Sequence, residues 1–211
     1  MPRIKERPKL IQQATTLEYL YCLGDMPKWS QVLLNQNDAK PYKNFLQWIL
    51  EVQYFKDDHK ISIKKIAEQS GFPAVKISKW LHEIYEDIFN LNEIEPQLFV
   101  LNGGIQVEFY FKYFDSYCQL KTTLPTLPRL NETFDFFFVK AKMGMSSFWV
   151  KDVQHFIGED KAYIVVFLEG GLPNVYREFA LSKALFEGTL DFRDVYQKYD
   201  FEIDNLLLKR K

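Results

Sequence analysis

The spacing of apolar residues predicts helices in the first part of the chain and strands in the second. Apolar side chains recur at helical spacing between residues 41 and 55, and residues 63–81 are typical of two short helices joined at Gly71. After Asn90 the period changes to the alternation that is typical of strands. The second short helix carries one apolar stripe, formed by Ile77, Trp80, Leu81, Ile84 and Ile88.

Weaker signals complete the predicted elements. Further helices are expected over residues 11–23, 28–35, 182–187 and 191–208, and strands over 97–101, 105–114, 134–142, 147–156, 162–169 and 174–181. The Asn-Gly-Gly run at 102–104 indicates a hairpin between the first two strands. Residues 162–168 show no alternation, which favours a central strand.

Residues 62–81 have the local chemistry of a helix, a tight turn and a second helix. Ser62 is a good N-cap, and Gly71 supplies the positive φ that a residue with a Cβ adopts only at a cost. Phe72 is expected to fill the turn, and Pro73 opens the next helix with its φ already set. With the small Ala67 four residues before the glycine, this pattern resembles the helix-turn-helix motif of DNA-binding proteins.

The resemblance covers residues 41–123, because three helices followed by a hairpin is the order of winged-helix proteins. It implies that the first helix of the motif crosses the DNA backbone and that the second lies in the major groove. The hairpin departs from the family pattern, since its turn is short and it carries Glu108 with only Lys112. A strand pair that extends into a larger sheet is an equally good interpretation.

Charge is distributed unevenly along a chain whose net charge is −1. Residues 59–82 contain five lysines and one acid, whereas residues 83–108 contain six acids and no lysine or arginine. A nucleic-acid contact must therefore come from a local patch. Lys64 and Lys65 lie in a first helical turn, where the helix dipole disfavours each cation by about 0.3–1 kcal/mol. Their position favours phosphate binding over helix stability.

The predicted DNA-binding residues follow from this arrangement. Lys60, Lys64 and Lys65 would hold phosphates, and the major groove would face Lys76, Ser78, Lys79 and His82. The outward face lacks arginine, asparagine and glutamine, which are the commonest base readers. The motif is therefore expected to bind the phosphate backbone of DNA more than it recognises the base sequence. The alternative is a helix pair that serves packing alone.

The elements predict an α+β fold with two domains. Residues 1–123 would form a helical domain that contains the helix-turn-helix at 62–90 and the hairpin at 97–114. Pro125 and Pro128 would stiffen a linker at 124–131. Residues 132–211 would form a small antiparallel β-rich domain with a C-terminal amphipathic helix. The apolar face of that helix would either pack on its own sheet or form a dimer contact.

Little in the sequence supports an enzyme. Cys22 and Cys118 fit no metal or disulfide spacing, and no phosphate loop, nucleophile elbow or His-Glu-x-x-His motif occurs. No catalytic residue, metal or cofactor is therefore predicted. The sequence also lacks a signal-peptide pattern and a membrane-length apolar run, so a cytoplasmic location without membrane contact is expected.

Two functional hypotheses follow from the sequence. The first is a DNA-binding protein, either a transcriptional regulator or an accessory factor of a plasmid or other mobile element, that grips duplex DNA. Its C-terminal domain would sense a signal, form a homodimer or bind a protein partner. The second is a protein–protein interaction or structural module that keeps a winged-helix scaffold without contacting DNA.

Overall fold

Apolar residues at helical spacing form five α-helices before the first strand of the described residues. The structure is a computed structural model, and it describes residues 14–36, 39–52, 62–100, 104–114, 116–157 and 162–208. These helices are α1 (Thr16–Asp25), α2 (Pro27–Gln36), α3 (Lys43–Glu51), α4 (Ile63–Ser70) and α5 (Ala74–Ile94). Strands and further helices follow them, so the fold is α+β, and the predicted fold class is confirmed.

α5 is the helix around which the N-terminal helices pack. Its predicted apolar stripe is confirmed, because Ile77, Leu81, Ile84 and Ile88 are fully buried and Trp80 is nearly so. The buried face continues through Tyr85, Phe89 and Asn92. α1, α2 and α4 all pack against this helix.

Five strands of the described residues form one mixed sheet. They are β1 (Ile105–Tyr113), β2 (Ser116–Leu124), β3 (Thr133–Asp135), β4 (Ser147–Ile157) and β5 (Ala162–Gly170), in the order β2-β1-β5-β4-β3. β1 and β5 are parallel, with Phe109 opposite Val166, and the other neighbours are antiparallel. β5 is thus a central strand, as predicted. Buried residues alternate along β1, so one face of the sheet lies on the core.

An aromatic cluster joins the helices to the sheet. Phe138 is fully buried in a 3-10 turn (Phe137–Val139) that leads into α6 (Lys140–Met143). Its ring centroid lies 5.0 Å from that of Trp29 and 5.1 Å from that of Tyr85. The Tyr85 hydroxyl donates to the Phe138 carbonyl at 2.8 Å, and the Cys22 thiol donates to the Phe137 carbonyl at 3.3 Å. These contacts fix α1 and α5 to the segment before β4.

The chain divides into two compact units, residues 1–171 and residues 172–211. The described part of the second unit consists of α7 (Val175–Phe186), α8 (Phe192–Gln197) and α9 (Asp200–Leu208). Its buried apolar side chains are Ala184, Leu190 and Ile203. Arg177 ties α7 to α9, because its guanidinium donates to Asp204 at 2.6 Å and to Asp200 at 3.0 Å.

The predicted linker at 124–131 does not separate two domains. β1 and β2 precede it and β3, β4 and β5 follow it, yet all belong to one sheet. The Asn131 N–H donates to the Val150 carbonyl at 2.9 Å, which attaches the end of this segment to β4. Prolines stiffen a connection without determining whether the strands on either side pair, so the boundaries 1–123 and 132–211 are wrong.

The predicted hairpin begins too early in the chain. Residues 96–99 form a 3-10 helix (Pro96–Phe99) instead of a strand, because Pro96 fixes a helical φ directly after α5. The hairpin consists of β1 and β2, which are joined after Phe114, where φ is +49°. Residues 101–103, including the Asn-Gly signal, lie outside the described residues.

Two predicted strands prove to be mainly helical. Residues 174–181 fall in α7, where the Asn174 side chain accepts a hydrogen bond from the Arg177 N–H at 3.0 Å and caps the helix. Of the strand expected over 134–142, only its first two residues lie in β3. Its aromatic residues have high β-propensity, but burial of Phe138 among the helices outweighs that preference.

The single helix predicted over 191–208 is divided into α8 and α9. α8 ends because Lys198 is extended, with ψ of 148°. α9 then begins with its own cap, since the Tyr199 N–H donates to the Glu202 carboxylate at 2.9 Å. The strands over 147–156 and 162–169 are confirmed as β4 and β5.

Candidate nucleic-acid interface

α4 begins with a cap and two exposed lysines. The Ser62 hydroxyl accepts a hydrogen bond from the Lys65 N–H at 3.2 Å, as expected for an N-cap. Lys64 and Lys65 are both exposed, and no acidic residue lies in this first turn. Positive charge is therefore concentrated where the helix dipole is also positive.

The turn between α4 and α5 is fixed by a glycine and a half-buried aromatic ring. Gly71 has φ of +73°, and its N–H donates to the Ala67 carbonyl at 3.0 Å. Open space surrounds the position of a Cβ at residue 71, so the backbone conformation alone requires glycine there. The Phe72 ring meets the Trp80 ring edge-on, with centroids 5.3 Å apart. Phe72 thus fills the turn as predicted.

Ser70 contributes to the turn in a way that the sequence did not indicate. Its hydroxyl accepts a hydrogen bond from the Phe72 N–H at 3.3 Å. The serine therefore pairs a backbone group that leaves the helical ladder at Gly71. This polar residue before the glycine is compatible with the tight turn because its side chain closes it.

The first two turns of α5 present the predicted groove-facing residues. Lys76, Lys79 and His82 are exposed, and Ser78 is half-buried. Ala74 and Val75 are also exposed, and Val75 retains 83% of its surface. With a rise of 1.5 Å per residue, the segment from 74 to 82 is about 12 Å long, close to the width of the major groove.

The lysines differ in their partners. Lys64 Nζ lies 4.0 Å from a Glu68 oxygen, and Lys79 Nζ lies 3.4 Å from a Glu83 oxygen. Exposed pairs of this kind contribute little and are easily exchanged for another anion. Lys65 and Lys76 form no ion pair with any residue that the structure describes. These two ammonium groups can therefore meet a phosphate without breaking a contact.

His82 lies where α1 covers α5. The rings of His82 and Tyr19 meet edge-on with centroids 5.0 Å apart, and Tyr19 also meets Tyr85 at 5.2 Å. Burial raises the pKa of the half-buried Tyr19 hydroxyl, with nearby Glu86 as a further cause. Tyr19 thus contacts α5 at His82, the last residue of the predicted groove-facing set. The helical period of the sequence identified the α5 face but could not indicate which helix crosses it.

Two further parts of the predicted DNA contact are Lys60 and the hairpin. Lys60 lies outside the described residues. On the β1–β2 hairpin, the turn carries Phe114, which is 71% exposed and whose ring centroid lies 4.5 Å from that of Tyr113. This hairpin end is aromatic rather than basic.

A cavity of about 230 Å³ lies between the C-terminal half of α5 and β2. Asn90, Glu93, Glu108, Lys121 and Lys142 line it together with Cys118. Burial raises the pKa of the Cys118 thiol to about 12, so the thiol is protonated at neutral pH and is a weak nucleophile. The Lys142 ammonium is paired with Glu86 at 2.7 Å. The Lys142 ammonium at the cavity therefore already has an anionic partner, and the Cys118 thiol is not activated.

Neither a metal-binding cluster nor a membrane-length helix occurs within the described ranges. There, no cluster of three or more histidine, cysteine, aspartate or glutamate side chains could hold a metal ion. Every helix in this part of the chain is too short or too polar to cross a bilayer.

The chain matches no protein-family model, no curated protein and no solved structure.

Proposed function

We propose that the protein binds duplex DNA through α4 and α5. The N-terminus of α4 would contact the phosphate backbone, and the segment of α5 from Ala74 to His82 would lie in the major groove. The order of α3, α4, α5 and the β1–β2 hairpin supports a winged-helix scaffold for this contact. A role in transcription or in the maintenance of a mobile element would follow from such binding.

The observation that carries the proposal is the pair of exposed lysines at the start of α4. Lys64 and Lys65 occupy the helix terminus at which cations are least favourable, and Lys65 has no anionic partner among the described residues. A phosphate at this position would meet two ammonium groups and the free N–H groups of the first turn together. Packing alone gives no reason for lysine at either position.

Binding to mixed-sequence duplex DNA, measured by fluorescence anisotropy between 50 and 200 mM salt, tests the proposal. Affinity should fall with a log–log slope of roughly −0.9 per phosphate contacted. Lys64→Glu plus Lys65→Glu should abolish binding while the protein stays folded by circular dichroism. Lys65→Glu alone should weaken binding and make the slope shallower by roughly 0.9.

Lys28→Glu provides a matched control for the change in charge. Lys28 is an exposed lysine in the first turn of α2, outside the helix-turn-helix, and its substitution also changes the net charge by −2. The control should bind DNA nearly as well as the wild type. The proposal is overturned by undetectable wild-type binding at low salt, or by equal losses for Lys28→Glu and Lys65→Glu.

A second candidate function is a protein contact through the C-terminal unit, with a second copy of the chain as the partner. α7 exposes Val175, Phe179 and Phe186 on one side, although residues 172–211 bury few apolar side chains of their own. Units of about 40 residues or fewer often need association to be stable. A monomer in sedimentation velocity at micromolar concentration would exclude this candidate.

A further inference from the structure

We infer that Val75 reads the 5-methyl group of thymine, so that the site prefers A·T-containing duplexes. The inference rests on the proposed function, and it names the base feature that the α5 face recognises. The Val75 side chain is not part of the apolar core of the described residues.

Val75 is exposed in a place where helix stability gives no reason for it. It retains 83% of its surface, so its two methyl groups lie outside the core. β-Branched residues lower helix stability slightly, since their χ1 freedom is restricted in a helix. A polar residue would serve better at an exposed helical position that had no other purpose.

The helical period places Val75 on the outward side of α5, near the start of the proposed contact segment. Residues 75, 79 and 82 follow the spacing i, i+4, i+7 and therefore lie in one row along α5. That row is opposite the buried stripe that contains Ile77, Ile84 and Ile88. Val75 thus lies on the outward face of α5, one turn before Lys79 and two turns before His82.

The first two outward residues of the contact segment can make only apolar contacts with a base edge. Ala74 and Val75 present only methyl groups, and Lys76 and Lys79 are long enough to reach phosphates or guanine acceptors. In the major groove, the group that an apolar side chain recognises on a base edge is the thymine methyl. The absence of arginine, asparagine and glutamine from the face thus favours apolar readout of thymine.

Deoxyuridine substitution tests this contact, because it removes the methyl group and keeps base pairing and charge. The probes are a duplex of alternating dA and dT and the same duplex with deoxyuridine in place of thymidine, compared by anisotropy at 50 mM salt. The wild type should bind the thymidine duplex about fourfold more tightly, the effect expected for one buried methyl group. Val75→Ser should bind both duplexes equally while its salt slope remains that of the wild type.

Val75→Thr is the matched variant, because it keeps one methyl group and the branched shape. It should retain part of the preference for thymidine. Equal binding of both duplexes by the wild type would overturn the inference and leave the proposed function intact. A thymidine preference that persists in Val75→Ser would also overturn it, because another side chain would then be the reader. If neither duplex binds, the proposed function itself fails.

Discussion

Asn92 shows how one side chain can complete the edge of a sheet. It is a buried polar residue at the end of the α5 core face. Its amide donates to the Lys121 carbonyl and accepts from the Lys121 N–H, each at 2.8 Å. Lys121 lies in β2, an edge strand whose outer backbone groups would otherwise lack partners. The asparagine therefore fixes α5 to the sheet in one register.

Replacing Asn92 with alanine should lower the free energy of unfolding by about 2–4 kcal/mol. The Lys121 N–H and carbonyl would lose their hydrogen-bond partner, and the core would lose the packing of the buried side chain. Chemical denaturation measures this loss. Asn90→Ala is the matched control, since Asn90 is exposed on the same helix and should change stability by less than about 0.5 kcal/mol. Equal effects of the two substitutions would show that the amide bridge adds nothing.

At the scale of the element, the first turn of α4 carries positive charges that the helix dipole disfavours. Ser62 caps it, but Lys64 and Lys65 occupy the positions that Asp or Glu would stabilise. α2 has the same feature at Lys28, also without an acid in the first turn. Both helices thus carry lysine in a first turn, where the helix dipole disfavours a cation, but only α4 lies in the proposed DNA contact.

Lys65→Glu and Lys28→Glu should each raise the free energy of unfolding, by about 0.5–1 kcal/mol, because each puts an anion near a helix N-terminus. Thermal unfolding at low salt measures the gain, which should shrink as salt is added. Only Lys65→Glu should combine this gain in stability with weaker DNA binding. A fall in stability for both variants would contradict the dipole argument.

At the scale of the whole molecule, the parallel pairing of β1 with β5 joins distant parts of the chain. Val107 lies opposite Ile164 and Phe111 opposite Leu168, so residues 57 positions apart in the chain pair in one sheet. In the hydrogen-bonded order of the sheet, β5 also connects β1 to β4, which pairs with β3. The sheet therefore requires residues on both sides of 124–131.

A chain that ends at Gly171 should keep a cooperative thermal transition, because residues 1–171 form one compact unit. A fragment of residues 132–211 should not fold, because β5 would lose β1 and expose a central strand edge. Near-UV circular dichroism and differential scanning calorimetry of both fragments test this. Cooperative unfolding of the 132–211 fragment would contradict the assignment of all five strands to one compact unit.

The sequence by itself determined the elements whose signals are local. The apolar period of α5 requires only residues three and four apart, and the turn at Gly71 requires only a glycine with positive φ. The exposed lysines of α4 and α5 follow from the same period. The outward position of these side chains could therefore be predicted, whereas the contact of His82 with Tyr19 joins distant parts of the sequence.

Only the tertiary structure decided which elements belong together. Residues 137–143 have the composition of a strand, yet burial of Phe138 against Trp29 and Tyr85 makes them helical. The pairing of β1 with β5 likewise depends on contacts between distant segments, which leave no periodic signal in either strand. Local preferences amount to about 1 kcal/mol per residue or less, so the larger free energy of burial overrides them.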